Sequence, residues 1–195
     1  MEKIKVDVII PTYKPGEEFE KVLERLEKQE YPINKIMIMN TEEKFWNRKW
    51  EEKFSGLEVH HIKKQEFDHG GTRKKAAQLS KGEVMVFMTQ DAMPKNAGLI
   101  GNLVRPLLKD ADTGAAYARQ LPGKNCSFLE CYTREFNYPA YSSRKTKKDI
   151  PRLGIKTYFC SNVCAAYKKD IYEQLGGFVE RTIFNEDMIL AGKMI

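Results

Sequence analysis

No stretch of the chain comes near the roughly 20 consecutive apolar residues that a membrane-crossing helix needs. The sequence opens Met1-Glu2-Lys3-Ile4-Lys5, with neither the apolar core nor the small-residue cleavage site of a secretory leader. The chain is therefore expected in the cytoplasm. Cysteine is sparse: the four are Cys126, Cys131, Cys160 and Cys164, with no Cys-x-x-Cys pair among them, which removes a zinc ribbon and a thioredoxin-type redox site. In that compartment reduced, mostly buried thiols are expected. Histidine is scarcer still, at three. His60 and His61 are adjacent on a strand-like run, so they face opposite ways and do not readily share a metal ion; both read as structural. No Gly-x-Gly-x-x-Gly follows a strand and no Gly-x-x-x-x-Gly-Lys-Ser/Thr occurs, which disfavours a dinucleotide-binding Rossmann enzyme and a P-loop NTPase.

What is present describes a globular chain. Its 195 residues suffice for one ordinary domain with its own core, and 42% hydrophobic with 31% charged residues is a usual balance. The formal charge of +6 comes from 33 basic and 27 acidic residues. It fits a solvated lysine-rich surface, and equally an attraction to a diphosphate, a nucleic acid or an anionic membrane; net charge does not choose among them.

Apolar spacing alternates between a period of two and a period of 3.6 along most of the chain. Val6 to Ile10 reads as a buried strand ending at Pro11. Phe19, Val22, Leu23 and Leu26 mark a helix opening near Glu17. Lys35 to Met39 and Leu57 to Ile62 read as the next strands, with a short helix between them carrying Trp46, Trp50 and Phe54, an aromatic stripe best explained by core packing. Thr72 reads as the cap of a helix carrying Ala76, Ala77 and Leu79. Glu83 to Thr89 is the clearest strand, Ala97 to Leu108 a helix with Leu99, Ile100, Leu103, Val104, Leu107 and Leu108 inward, and Gly114 to Ala118 a fifth strand. From about Pro122 to Thr157 periodicity fades into an excursion with some helix near Ser127 to Asn137 and a basic cluster at Arg144, Lys145, Lys147 and Lys148. Phe159 to Tyr167 returns to strand and Lys169 to Leu175 to helix, which Gly176-Gly177 ends. Glu186 to Ile195 opens a helix with no closing cap, so a single domain truncated at its C-terminus is expected.

This alternation predicts an α/β fold, a largely parallel sheet with helices on both faces. Ligands in such sheets lie beyond the carboxyl ends of the strands, which directs attention to Pro11-Thr12-Tyr13, Asn40-Thr41-Glu42 and Thr89-Gln90-Asp91. An acid just past a buried strand needs solvent, a metal or a donor: Asp91 suits Mg²⁺ or Mn²⁺ completed by phosphate oxygens and water, and equally a capped turn. His69-Gly70-Gly71-Thr72-Arg73 offers small residues, a helix start and a guanidinium to a phosphate, although a Gly-Gly turn before a helix is commonplace. Asn185-Glu186-Asp187 supplies either dipole complements at a helix start or a general base.

As an ordered set, these features resemble family 2 glycosyltransferases of the GT-A fold. The landmarks are Val8-Ile9-Ile10-Pro11-Thr12-Tyr13, then Thr72-Arg73, Gly82-Glu83 and Phe87-Met88-Thr89-Gln90-Asp91, then Ser161-Asn162, Gly176-Gly177-Phe178 and Glu186-Asp187, spanning essentially the whole chain. Within the family, His69-Gly70-Gly71-Thr72-Arg73 and Thr89-Gln90-Asp91-Ala92 are most similar to bacterial rhamnosyltransferase-type members, which build surface polysaccharide from deoxythymidine-diphosphate sugars.

The resemblance implies site residues. Pro11, Thr12 and Tyr13 fall where the family cradles the nucleoside, and Asn40 stands in place of the acid that usually contacts the base, which leaves base preference open. His69, Gly70, Arg73, Gln90 and Asp91 complete the nucleotide-sugar set. Thr89 replaces the first acid of the family's Asp-x-Asp signature while Asp91 keeps the second, making Asp91 the metal ligand. Asp187 matches the catalytic base, with Glu186 its acidic neighbour. The implied reaction is an inverting single displacement, drawing on Mg²⁺ or Mn²⁺, with a dTDP- or UDP-linked donor and a saccharide or lipid-linked acceptor. No nucleic-acid partner is implied, and peripheral contact with the inner face of the membrane stays open.

Two rivals remain. A sugar nucleotidyltransferase needs a Gly-rich, Lys/Arg-bearing loop after the first strand, where this chain has Pro11-Thr12-Tyr13-Lys14-Pro15. A non-enzymatic module would dock a polyanion through Arg144 to Lys148 and need neither Asp91 nor Asp187. Nucleotide-sugar hydrolysis set against pyrophosphate exchange separates the first. A thermal-shift titration with nucleoside diphosphates, with and without Mn²⁺, separates the second: the enzyme reading expects stabilisation that grows with the metal, and no shift in any condition selects the module.

Overall fold

Val6 to Ile10 is a run of four apolar residues and one aspartate, and it builds the strand at the middle of the sheet. The computed structural model describes residues 4–123, 126–182 and 184–195; Met1 to Lys3, read above as lacking a leader, fall outside them. The strands are β1 (Val6–Tyr13), β2 (Lys35–Thr41), β3 (Leu57–Ile62), β4 (Val84–Met88), β5 (Ala115–Tyr117) and β6 (Cys164–Lys168). They form a six-stranded sheet in the order β3-β2-β1-β4-β6-β5. The pairs β1–β2, β2–β3 and β1–β4 are parallel, and β6 runs antiparallel to both β4 and β5.

β1 runs through Pro11 instead of stopping there. Its ladder with β4 ends at Ile9↔Phe87, whereas its ladder with β2 continues to Tyr13↔Thr41. Pro11 thus lies where β1 is paired on one side only, a position that tolerates a residue without an N–H. The same parting of β1 from β4 opens the sheet at the point where strand order reverses, the usual ligand crevice of such folds.

Because side chains alternate along a strand, the sheet carries a core on each face. On one, Val8, Ile10, Ile38, Val86 and Met88 meet α1 (Glu17–Glu27), α2 (Lys49–Lys53) and α4 (Leu99–Lys109) through Phe19, Leu23, Trp50, Ile100, Leu103 and Val104. Trp46, Trp50 and Phe54 are all buried, so the aromatic stripe is core. Leu108, expected inward, is 55% exposed because α4 turns its Leu103–Leu107 edge to the sheet. On the other face, Ile9, Met37, Met39, Met85 and Phe87 meet α3 (His69–Leu79), α7 (Lys169–Gln174) and α8 (Glu186–Met194) through Ala76, Ala77, Tyr172 and Leu190. Gly177, at φ +68°, completes the turn after α7; a Cβ there would stand 2.8 Å from the Tyr172 ring, so only glycine lets Phe178 fold back into this core.

The excursion after β5 holds α5 (Phe128–Asn137) and the short α6 (Ile150–Leu153). Residues 159–163, expected as strand, precede β6 without joining it. Cys126 and Cys131 are joined in a disulfide across the first turn of α5, their Cα atoms 6.2 Å apart, a separation within bridging range. That corrects the expectation of four thiols. Cys160 and Cys164 are free and buried, and burial pushes both up to about 12.

At the opposite end of the sheet from the crevice, Asp7 is fully buried. It accepts hydrogen bonds from Ser80 Oγ (2.7 Å), Lys81 N (2.9 Å), Gly82 N (2.8 Å) and Asn34 Nδ2 (2.7 Å). These tie the start of β1 to the turns entering β2 and β4. Replacing Asp7 by Ala strands several buried donors, so Asp7→Ala should lower unfolding free energy by about 3 kcal/mol or more, given roughly 1–3 kcal/mol per unsatisfied buried group. Urea unfolding, read as a lower midpoint at unchanged slope, checks this.

Candidate functional site

The carboxyl ends of β1, β2 and β4 meet in a connected polar seam. Thr12 Oγ1 donates to Asn40 Oδ1 (3.0 Å), and the Asn40 amide nitrogen reaches Glu42 O (3.3 Å) and His61 Nδ1 (3.0 Å). Asn40 is 0% exposed, so it is not placed to touch a base directly, as expected of it; its amide aligns the three strand ends instead. Across the β1–β4 parting, the Gln90 side chain accepts from Tyr13 N (2.8 Å) and donates to Tyr13 O (3.2 Å), closing the crevice floor with a two-point clasp. Beside it Tyr13 is exposed and meets Phe45 edge-on at 5.7 Å, with Lys14 Nζ 5.2 Å and 4.8 Å from the two ring centres and Lys64 Nζ 5.9 Å from Tyr13. Phe45, Lys14 and Lys64 were not legible as site residues, since each lies in a loop whose neighbours only the fold supplies. His60 pairs with Glu58, so both adjacent histidines are held structurally.

The acids lie on the far side of β4. Thr89 N donates to Val163 O (3.2 Å), and the next residue back, Asn162, donates its backbone N–H to Asp187 Oδ2 (2.9 Å). Asp91, two residues past Thr89, therefore leaves the same sheet end to which Asp187 is tied. Asp187 Oδ1 also accepts from Met188 N (2.8 Å). Burial pushes the Asp187 carboxyl above the usual range, and the neighbouring Glu186 charge adds to this; the Asn162 and Met188 amides and Arg73 oppose it. Glu186 is 5% exposed and accepts from Asn162 Nδ2 (3.1 Å), with Arg73 Nη1 3.4 Å away. Behind them, Tyr167 OH donates to Asn162 Oδ1 (2.9 Å) and lies 3.3 Å from Cys160 Sγ. Asn162 thus holds both acids, one through its backbone and one through its amide.

The helix start at His69 differs from its sequence reading. Thr72 does not cap α3: the cap is Asp68, whose Oδ2 accepts from Gly71 N (2.6 Å) and from Arg181 N (2.9 Å), while Thr72 Oγ1 accepts from Asp68 N (3.2 Å). Asp68, a favoured cap type, stands four residues before Thr72, and the glycine pair between them lies inside the first turn of α3. Gly70 does serve a close approach, but to protein: a Cβ there would stand 1.7 Å from Val179 O and 3.5 Å from Glu186 Cβ. Arg73 is 5% exposed, donates to His69 O (2.9 Å) and pairs with Glu186, so it is spent inside rather than offered to a phosphate. His69 is exposed, its ring edge-on to Phe67 at 5.1 Å.

Buried polar side-chain atoms lacking a partner among the described residues are Thr41 Oγ1, Arg73 Nε, Thr89 Oγ1 and Thr157 Oγ1. Two of these hydroxyls, Thr41 and Thr89, sit at the carboxyl ends of β2 and β4, where an external ligand is the expected partner. Asp91 is exposed, and no donor or cation among the described residues meets its carboxylate. The Thr89 hydroxyl with the Asp91 carboxylate fits a hard divalent cation that takes one carboxylate and fills its other positions from phosphate and water. No group of three or more His, Cys, Asp or Glu side chains gathers among the described residues, so the protein offers no complete cage.

A family model described as glycosyl transferase family 2 matches residues 7–176. The chain belongs to that family. The match ends before Glu186-Asp187, so the placement of those acids rests on the geometry above. Among curated relatives, the family 2 chain is 38% identical over 193 residues to the O-antigen chain rhamnosyltransferase RfbN of Salmonella typhimurium, covering 98% of this chain and 61% of that protein. It is 44% identical over 135 residues to the O-antigen chain rhamnosyltransferase WbaN of Salmonella anatum, covering 69% of this chain and 42% of the relative. The chain therefore spans less than two thirds of the length of both. Among solved structures, the mannosyltransferase PcManGT from Pyrobaculum calidifontis, in complex with GDP-Man and Mn²⁺, is similar at a TM-score of 0.69 and 21% identity, over 99% of this chain and 52% of that one. S. aureus TarS 1-349 is similar at 0.70 and 17%, over 98% and 55%. These two likenesses show the shared GT-A architecture. No helix among the described residues is long and apolar enough to cross a membrane.

The raised Asp187 carboxyl carries a consequence for stability. In the folded chain it binds its proton more tightly than in the unfolded chain, so its ionisation costs stability as pH rises above the ordinary carboxylate range. Asp187→Asn, which keeps an acceptor for Asn162 N, should raise the melting midpoint at pH 7, and the gain should vanish once pH falls low enough to protonate Asp187 in both states. Melting curves across pH 3–8 for both proteins read this directly.

Proposed function

We propose that this chain is the donor-binding and catalytic part of an inverting glycosyltransferase, moving a sugar, with rhamnose the first candidate, from a dTDP- or UDP-linked donor to a saccharide or lipid-linked acceptor in surface polysaccharide synthesis. The observation that carries the reading is Asp187: a carboxylate with raised proton affinity, fixed by Asn162, at the same sheet end as the unpaired Asp91. The names of the two rhamnosyltransferase relatives support the choice of sugar and pathway.

In the single displacement, an acceptor hydroxyl gives its proton to Asp187 as its oxygen bonds to the anomeric carbon. The bond from that carbon to the β-phosphate oxygen breaks, its electron pair leaving on the nucleoside diphosphate, and one displacement inverts the configuration. A carboxylate whose pKa is raised by burial is a better base than an ordinary surface one. Glu186 and Arg73 act through Asn162 and α3 to position Asp187. Pro11, Thr12 and Tyr13 line the nucleoside side with Asn40 behind them, Tyr13 and Phe45 offering aromatic surface and Lys14 and Lys64 cationic charge to the donor; His69 sits on the exposed rim. Gln90 joins the two lips of the crevice and Gly70 lets α3 lie close to the acids. Asp91 and the Thr89 hydroxyl would hold Mg²⁺ or Mn²⁺, which when bound supplies charge neutralisation for the departing diphosphate.

The nucleotidyltransferase alternative is not favoured: the chain matches the family 2 glycosyltransferase model, and Pro11-Thr12-Tyr13-Lys14-Pro15, at the end of β1, has no glycine for a phosphate loop. Incubation with dTDP-rhamnose and with UDP-sugars, following release of nucleoside diphosphate, tests the proposal. Asp187→Asn should slow release by about 10²–10⁴-fold, the usual worth of a general base, while keeping nucleotide-induced stabilisation. Asp91→Asn should instead erase the Mn²⁺-dependent part of that stabilisation. Release by Asp187→Asn at the unsubstituted rate removes Asp187 from the role.

A further inference from the structure

Helix α5 is amphipathic the wrong way round. Phe128, Tyr132 and Phe136, four residues apart, are 86%, 57% and 56% exposed, and no residue of the helix is buried. A helix that merely packed would bury that stripe and leave its polar edge in water. Instead the polar edge, Glu130, Thr133, Arg134 and Asn137, lines a cleft of about 430 Å³ against the body of the protein, a size within the roughly 300–1,000 Å³ of small-molecule sites.

The opposite wall of the cleft leads toward the proposed base, Asp187. Phe159, half-buried and 5.4 Å edge to face from the buried Tyr138 ring, supplies aromatic surface. Gln120 donates to the Tyr138 hydroxyl and to Ser161 Oγ (3.2 Å). Ser161 is followed by Asn162, whose N–H holds Asp187. A ligand seated against Ser161 therefore lies one residue from the group that holds the proposed base. Among the described residues the charged groups lining the cleft are Glu130 and Arg134, which pair with each other at 3.4 Å. Paired charges, amides, hydroxyls and an aromatic ring match a neutral, hydroxyl-rich ring better than a phosphate, which would call for unpaired cations.

We propose that this cleft is the acceptor subsite and that it takes a neutral pyranoside. The ring lies against Phe159, while Thr133 and Asn137 meet its hydroxyls, and the nucleophilic hydroxyl faces Asp187, to which it gives its proton as it bonds to the anomeric carbon and the diphosphate leaves with the electron pair. The assignment rests on the glycosyltransferase reading above, and its test separates the two.

Saturation-transfer NMR with methyl glycosides of galactose, mannose, glucose and rhamnose, in the presence of dTDP and Mg²⁺, reads cleft occupancy, and dTDP-induced thermal stabilisation reads the donor site independently. The expectation is saturation transfer to at least one glycoside, weakened about tenfold in affinity by Thr133→Val/Asn137→Leu through lost hydrogen bonds. Glu135→Gln, on the same helix outside the cleft, should bind the glycoside as the unsubstituted chain does. Stabilisation by dTDP should be the same in all three proteins. Asn137→Leu alone, at an accessible helix position, replaces the double variant if the latter melts early without ligand. Absence of saturation transfer to every glycoside, or equal binding by the double variant, overturns the acceptor subsite. Loss of the dTDP response in the unsubstituted chain, with glycoside binding intact, overturns the donor reading and leaves the cleft a saccharide site.

Discussion

Asn162 stands two residues before the one antiparallel strand beside β4, and from there it bonds both acids of α8: Glu186 through its side chain and Asp187 through its backbone N–H. Everything on the acid side of the site leans on that residue. Its own amide oxygen is held by the buried Tyr167 hydroxyl, and Glu186 is charge-compensated by Arg73 from a third element, α3. Removing one partner from a buried ion pair leaves an uncompensated charge, at a cost of about 3–5 kcal/mol. This is why Arg73 is better understood as a structural counter-charge than as a phosphate ligand. A guanidinium withdrawn toward a diphosphate would leave Glu186 buried and unpaired.

Geometry around these acids is paid for by local strain and close packing. Asn185, at φ 70°, turns the chain into α8 in a left-handed conformation that asparagine tolerates better than most residues. Gly70 lets α3 approach Val179 where no side chain fits. Asp68 binds the start of α3 to Arg181 N. The loop of residues 178–182 is therefore pinned between α3 and α8, and a short, irregular segment is made stiff enough to present a carboxylate at a fixed place. On the opposite side of the crevice the constraint is simpler. β1 and β4 part company after Ile9 and Phe87, and Gln90 bridges the gap to Tyr13.

Much of the fold was legible in the residues. The VDVII and EVMVFMT runs, the Phe19-Val22-Leu23-Leu26 face and the Trp46-Trp50-Phe54 stripe each have one physically sensible burial, and the sheet follows from their alternation. The errors came where local signals compete. Pro11 looked like a stop because the sequence cannot show that its strand loses one neighbour at that point. Thr72 looked like a cap because a glycine pair resembles a turn, while Asp68 caps the helix and accommodates both glycines in its first turn. Residues 159–163 are apolar enough for a strand but lack a partner strand at that register. The pairing of Cys126 with Cys131 depends on the tight turn into α5, a property of backbone path that composition does not carry.

Residue order alone determined which strand ends would gather the chemistry, because an acid, amide or hydroxyl placed just past a buried run has to emerge at the edge of the sheet. Asp91, Gln90 and Tyr13 were found on that basis, whereas Asp187 was found as an acid at a helix start and through the family resemblance. Only tertiary structure decided which of the nominated groups face a ligand and which serve the protein. Burial and partner choice are properties of contacts between distant segments, so Asn40 and Arg73, polar and well placed along the chain, turned out to be sealed and occupied. For the same reason the reversed face of α5 emerged only from coordinates: a sequence shows that a helix has two faces, and three-dimensional packing shows which one was turned inward.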